Sequence, residues 1–162
     1  NNTFNYKNFD FSFFVVGFHG FDIYNATHQM GYNLIKSQQV AGVTPMRELL
    51  NRWTPTNTNT NIPGFVNGGT ENKDFFSTRF VENGSFIKMK SITLGYTLPE
   101  TACRALGITN LRVYASVQNP FHITNYSGLD PEATMGSPLV QGVDWGSYPN
   151  SRNYLIGLNF SF

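Results

Sequence analysis

The feature that most constrains this chain is a run of period-two alternation between Arg152 and Phe162. Tyr154, Ile156, Leu158, Phe160 and Phe162 fall at every second position, and Asn153, Leu155, Gly157, Asn159 and Ser161 stand between them. Successive side chains on a β-strand point to opposite faces, so this spacing makes a strand with one apolar and one polar side. Only Leu155 breaks the rule.

Three further segments alternate in the same way. From about Asn8 to Phe18, Phe9, Phe11, Phe13 and Val15 share a face, opposite a mixed face of Asp10, Ser12, Phe14 and Val16. From about Ser85 to Leu98, Ile92, Leu94, Tyr96 and Leu98 oppose Ser91, Thr93, Gly95 and Thr97. Earlier in that segment the same count puts Lys88 and Lys90 in phase with the apolar face. A lysine against hydrocarbon is costly, which predicts that this half lies at or above a membrane interface. From about Asn110 to Gln118, Leu111, Val113, Ala115 and Val117 oppose Arg112, Tyr114, Ser116 and Gln118. The strand expectations are thus residues 8–18, 85–98, 110–118 and 152–162.

The connections between these strands run long, short, long: Gly20 to Gly84, Pro99 to Gly107, Asn119 to Ser151. Transmembrane β-barrels show that asymmetry, with short periplasmic turns and long extracellular loops. The expected fold is all-β: an antiparallel transmembrane barrel segment of four strands with two long extracellular loops. In the first loop Pro45 to Trp53 reads as a short helix, with Thr44 placed to cap it. In the short connection Glu100 to Leu106 reads as a helical turn stopped by Gly107. Thr54 to Asn61 reads as irregular, as does the proline- and glycine-rich second loop.

Composition agrees with strands and turns rather than amphipathic helices. Only 13% of residues are charged and 15% are aromatic, against about 25% charged in an ordinary soluble domain. The net charge of +1, with Lys and Arg scattered, offers no basic field for nucleic acid. No apolar run approaches the ~20 residues of a membrane helix, whereas a β-span needs only ~9–11 alternating residues. The N-terminal residues Asn1 to Phe4 have none of the marks of a signal peptide.

No constellation of residues argues for catalysis or a cofactor. Cys103 is the only cysteine, so neither an internal disulfide nor a cysteine zinc site is possible, and it reads as a half-buried small residue. His19, His28 and His122 lack metal-ligand spacing. Asp130, Glu132 and Asp144 share one loop, and paired carboxylates can serve glycoside hydrolysis; Asp130-Pro131 is more simply turn chemistry. Nucleophile elbows, phosphate loops and dinucleotide fingerprints do not occur. Among loop aromatics, which include Trp53 and Phe65, Trp145 and Tyr148 are the better candidates for contact with a ligand or partner.

Several longer stretches carry a resemblance. They are Phe4 to Asp10, Arg52-Trp53-Thr54-Pro55, Asn61-Ile62-Pro63, Val81 to Tyr96, Leu111 to Asn119, Thr124 to Glu132, and Tyr148 to Arg152 leading into the last strand. In order and spacing they resemble the SusC/RagA-type TonB-linked outer-membrane transporters over essentially the whole chain. The resemblance implies a Gram-negative outer-membrane barrel of roughly 22 strands with a plugged lumen. It implies a SusD-type surface lipoprotein as partner, the TonB complex as energy source, and a glycan or peptide as cargo. It also implies that Tyr154, Ile156, Leu158, Phe160 and Phe162 form the signal read by the barrel-assembly machinery. Neither a plug nor a TonB box is recognisable in these residues. Four strands leave two open edges, so the chain is expected to be one piece of a longer receptor.

Two rival readings make different demands. A soluble β-sandwich that binds carbohydrate on Trp145 and Tyr148 would cover its apolar face with a second sheet. A glycoside hydrolase would use Asp130 or Glu132 together with Asp144.

Overall fold

The computed structural model describes residues 1–32, 45–64, 77–105, 107–134 and 141–162. In chain order the strands are β1 (Asn2–Tyr6), β2 (Phe9–Phe18), β3 (Asp22–Asn25), β4 (Val81–Asn83), β5 (Phe86–Thr97), β6 (Asn110–Thr124), β7 (Val143–Asp144) and β8 (Asn153–Ser161). Two short α-helices, α1 (Ala26–Tyr32) and α2 (Glu100–Ala105), and 3₁₀ turns at Arg47–Asn51, Thr78–Phe80 and Pro131–Thr134 complete the described elements. The chain divides into two compact units. The first is Asn1–Phe21, Gly84–Asn125 and Pro149–Phe162; the second is Asp22–Asn83 and Tyr126–Tyr148.

The first unit is an antiparallel sheet in the order β1-β2-β5-β6-β8. The four expected strands are β2, β5, β6 and β8, with ends within one or two residues except in β6. The fifth strand, β1, was not expected. It folds back on β2 through Lys7 and Asn8, with Tyr6 opposite Phe9. Lys7 takes a φ of 53°, the kind of backbone a two-residue hairpin loop requires, and the absence of glycine there hid the turn. The sheet is open, with β1 and β8 at its edges.

The register aligns the apolar side chains in rows across the strands. One row is Phe4, Phe11, Leu94, Ala115 and Ile156; the next is Tyr6, Phe9, Tyr96, Val113 and Leu158. On the other face the rows are polar: Asn5, Asp10, Gly95, Tyr114, Gly157, and then Thr3, Ser12, Thr93, Ser116, Leu155.

Two irregularities change what the sequence count predicted. Lys90 is skipped in the pairing of β5 with both neighbours, so it sits in a bulge. On the far side of the bulge Lys88 stands opposite Val16 and His122. Val16 continues the alternation of Asp10, Ser12 and Phe14, so Lys88 belongs to the polar side and is buried there. The expected placement of Lys88 in phase with the apolar face is therefore corrected: one extra residue reverses the phase of a strand. The second irregularity lies in β6, where Asn119 (φ 50°) and Pro120 are skipped and the strand continues to Thr124. A proline at a bulge gives up no ladder hydrogen bond, so the strand outruns its expected end at Gln118.

The short connection behaves as predicted. Helix α2 runs Glu100–Ala105, and Gly107 has the positive φ of 72° of a helix stop; Leu106 lies outside the described residues. Cys103, expected to be half-buried, is instead fully buried, with its Sγ 3.7 Å from the Leu98 carbonyl.

The second unit contains a small sheet, β4-β3-β7, with β3 antiparallel to β4 and parallel to β7. Its core holds Ile23, Ala26, Leu49, Ile62 and Tyr126. The expected Pro45–Trp53 helix is a tighter 3₁₀ turn at Arg47–Asn51; the proposed cap Thr44 lies outside the described residues, as does Phe65.

Candidate functional site

The apolar face of the five-stranded sheet is the most extensive chemical feature among the described residues. Its side chains are not packed away: Ile156 is 85% exposed, Leu158 and Phe160 each 60%, and Leu94 50%. A soluble domain rarely leaves a contiguous apolar patch of this kind open. The five residues singled out in the last strand lie along this face or just beyond it. Tyr154, Ile156, Leu158 and Phe160 pair with Val117, Ala115, Val113 and Leu111 on β6. Phe162 follows the strand, and its ring lies 6.0 Å from that of Phe160.

The opposite face is built from polar contacts that the sequence count did not reveal. Arg112 on β6 reaches diagonally over β5 to Asp10 on β2, with Nε and one terminal nitrogen 2.8 and 2.5 Å from the two carboxylate oxygens. Two parallel charge-assisted hydrogen bonds of this geometry are among the strong polar contacts in proteins. The pair crosses β5 at Gly95, where a methyl group would collide with both side chains. The Thr93 and Ser116 hydroxyls share a hydrogen bond of 2.8 Å one row away. A glycine in mid-strand at a negative φ is the signal that marks such a close approach.

The second unit is organised by buried polar groups. Asn25, almost fully buried, donates from Nδ2 to Glu82 at 2.9 Å and to Ser127 Oγ at 3.2 Å, while its Oδ1 accepts from the His28 N–H at 2.9 Å. Glu82 also accepts from the Ser127 N–H at 2.9 Å and hydroxyl at 2.8 Å, and His28 Nδ1 lies 3.4 Å away. Burial opposes the charge on Glu82; the hydrogen bonds from Ser127 and Asn25, aided by His28, outweigh it and hold the carboxyl below its usual range. Tyr126 donates to Asp144 at 2.6 Å, and burial together with that carboxylate pushes its hydroxyl well above the ordinary tyrosine range.

These contacts give the acidic loop residues structural duties. Asp144 Oδ1 accepts from the N–H groups of Gly146 and Ser147, at 2.8 and 3.1 Å, closing the turn that carries Trp145. Asp130 Oδ1 accepts from the Glu132 N–H at 3.0 Å, as an aspartate before proline does in a turn. Trp145 is 58% exposed and Tyr148 91%, so both loop aromatics present their rings to solvent. Among the described residues no group of three or more His, Cys, Asp or Glu side chains is arranged to hold a metal.

No protein-family model matches the chain. It is 35% identical over its full length to TonB-dependent receptor P3 of Formosa agariphila, and 32% identical over 97% of its length to TonB-dependent receptor SusC of Bacteroides thetaiotaomicron. Among solved structures it superposes on a chain of the RagAB peptide transporter with a TM-score of 0.80, at 28% identity over 98% of its residues. The chain spans only 16% of the first of these relatives, 14% of the second and 16% of the solved chain. These relatives are receptors and a transporter, not enzymes. Matched end to end by proteins of this one kind, the chain belongs to the SusC/RagA-type TonB-dependent receptors of the Gram-negative outer membrane.

Proposed function

We propose that this chain forms the C-terminal stretch of barrel wall in an outer-membrane TonB-dependent transporter that imports glycans or peptides. The carrying observation is the two-faced sheet: apolar rows open on one side, polar rows with an ion pair on the other. Lipid is the solvent that suits the first face, and a water-filled or plugged lumen suits the second. The free edges of β1 and β8 call for further strands, which a longer receptor supplies, because an open edge in hydrocarbon leaves backbone groups unpaired.

The long connections leave the sheet at the ends of β2 and β6 and re-enter at the starts of β5 and β8, all at one end of an antiparallel sheet. That end is the extracellular one, and Trp145 and Tyr148 are the contacts offered there to cargo or to a SusD-type surface lipoprotein. The alternating residues from Tyr154 to Phe162 are the signal for the barrel-assembly machinery. Energy comes from the TonB complex, through parts of the receptor outside this chain. The soluble-sandwich reading is disfavoured by the exposure of Ile156, Leu158 and Phe160, which a second sheet would cover.

Purification of the intact receptor from outer membranes in mild detergent tests this reading. The expected result is co-purification of a lipoprotein near one-to-one, with oligosaccharide or oligopeptide found in the complex by mass spectrometry, the two alternatives identifying the cargo class. A receptor released from cells without detergent would contradict the proposal.

A further inference from the structure

Apolar alternation fixes which face of a strand looks outward, but it does not distinguish one register from another two residues away, because both keep the same faces. Something else must choose between them. For β1 against β2 the two-residue loop does so. For β2 against β5 and for β5 against β6, bulges at Lys90 and at Asn119 and Pro120 break the repeat. The pairing of β6 with β8 has neither device: nine residue pairs run from Asn110↔Ser161 to Gln118↔Asn153 without irregularity. The residues joining the two strands, 125–152, make a long connection that imposes no tight turn.

We infer that Tyr114 seated on Gly157 sets the register of β8. Tyr114 stands directly opposite Gly157, and a methyl group at Gly157 would overlap the Tyr114 ring. Gly157 lies inside a strand, where glycine weakens the element unless something needs its space. The ring has a second neighbour that holds it in place. The Arg112 guanidinium sits over it at 5.0 Å from the ring centre, and Arg112 is itself fixed by its two hydrogen bonds to Asp10. The relay from Asp10 through Arg112 to Tyr114 thus carries a position defined on β2 to β8, across the seat left by Gly95. A slip of two residues either way would set the ring against Leu155 or Asn159, each of which carries the side-chain carbon that Gly157 lacks. Register decides strand stagger, and stagger decides the diameter of a barrel, so this seat bears on the shape the wall can take.

The test moves the seat. In the intact receptor in outer membranes, Gln118→Cys is paired in turn with Asn153→Cys, the native partner, and with Ser151→Cys, its partner after a two-residue slip. Leu155→Gly together with Gly157→Leu then shifts the glycine by two positions while keeping both faces chemically alike. The expected result is that the dominant disulfide changes from 118–153 to 118–151; the next diagonal pair lies too far apart for a disulfide without backbone movement. A folded, heat-modifiable receptor that still cross-links 118–153 overturns the inference. Should the transposed protein not reach the membrane, Tyr114→Ala and Tyr114→Phe decide. The first is expected to raise the 118–151 product about tenfold, matching the worth of an aromatic contact, and the second to keep the native product. Equal ratios in the two overturn the inference. Insertion into the outer membrane reads out the transporter proposal separately, since the cross-link ratio is measured only on inserted protein.

Discussion

The two units of this chain reach stability by opposite means. The five-stranded sheet holds together through its backbone ladder and leaves large apolar side chains such as Ile156 and Leu158 in the open. The second unit folds short strands and turns around polar contacts: the buried Asn25 bonded to Glu82 and Ser127, and the buried Tyr126 bonded to the buried Asp144. A sheet bordered by lipid needs no apolar core behind that face, because the solvent itself is apolar. A unit made of loops must satisfy its backbone and polar groups internally or from water, so side chains take over the work that a ladder does elsewhere.

Charge substitutions should separate the two most sharply. Ile156→Lys on the apolar face is expected to destabilise the membrane-embedded receptor by ~2–4 kcal/mol if it lies near the bilayer midplane. Ser116→Lys, on the polar face one row away, should cost far less. Denaturant titration of both variants in lipid measures the difference, and equal costs would erase the distinction between the faces.

Removing one partner of the polar network comes next. Glu82→Ala leaves the buried Asn25 amide without one of its acceptors, a loss on the order of 1–3 kcal/mol, while the exposed Ser127 N–H and hydroxyl turn to water at little cost. The effect should be local: faster hydrogen exchange around β4 and residues 126–130, with β5 and β6 unchanged. Exchange rising equally in both units would show that they do not behave separately.

The same residue predicts a pH dependence. The Glu82 carboxyl is held below its usual range in the folded state, so more protons bind it when unfolded. Its contribution is therefore fully present above the ordinary glutamate value and is lost as pH falls through the lowered folded value. Protease sensitivity of residues 126–130 should rise on acidification through that window, and Glu82→Gln should flatten the profile. The smallest effect is expected at Arg104→Ala. Its pair with Glu100 is exposed on both sides, and such pairs contribute within about 0.5 kcal/mol.

This contrast also explains what could be read from the sequence. Period-two alternation is a local signal, and it located β2, β5 and β8 to within a residue or so. It failed where one residue changes the phase. The bulge at Lys90 sends Lys88 to the polar side, and the bulge at Asn119 and Pro120 lets β6 continue through what reads as a stop. Strand β1 was hidden because its turn uses Lys7 and Asn8 rather than a glycine. The second unit was hardly legible: Asn25, Glu82 and Ser127 lie far apart in the chain, and no spacing rule connects them. Gly95 and Gly157 were visible as small residues on a polar face. Their role as seats depends on Arg112 and Tyr114 crossing from a neighbouring strand.

The central claim, that the two faces of the sheet meet lipid and lumen, is tested most directly by spin labels placed one at a time along β5 and β8 in the receptor held in lipid nanodiscs. Collision with oxygen should dominate at Leu94, Ile156 and Leu158, and collision with a water-soluble nickel complex at Thr93, Leu155 and Asn159, alternating with a period of two. Uniform access of the nickel complex to both sets would contradict a lipid-facing sheet and return the chain to a soluble fold.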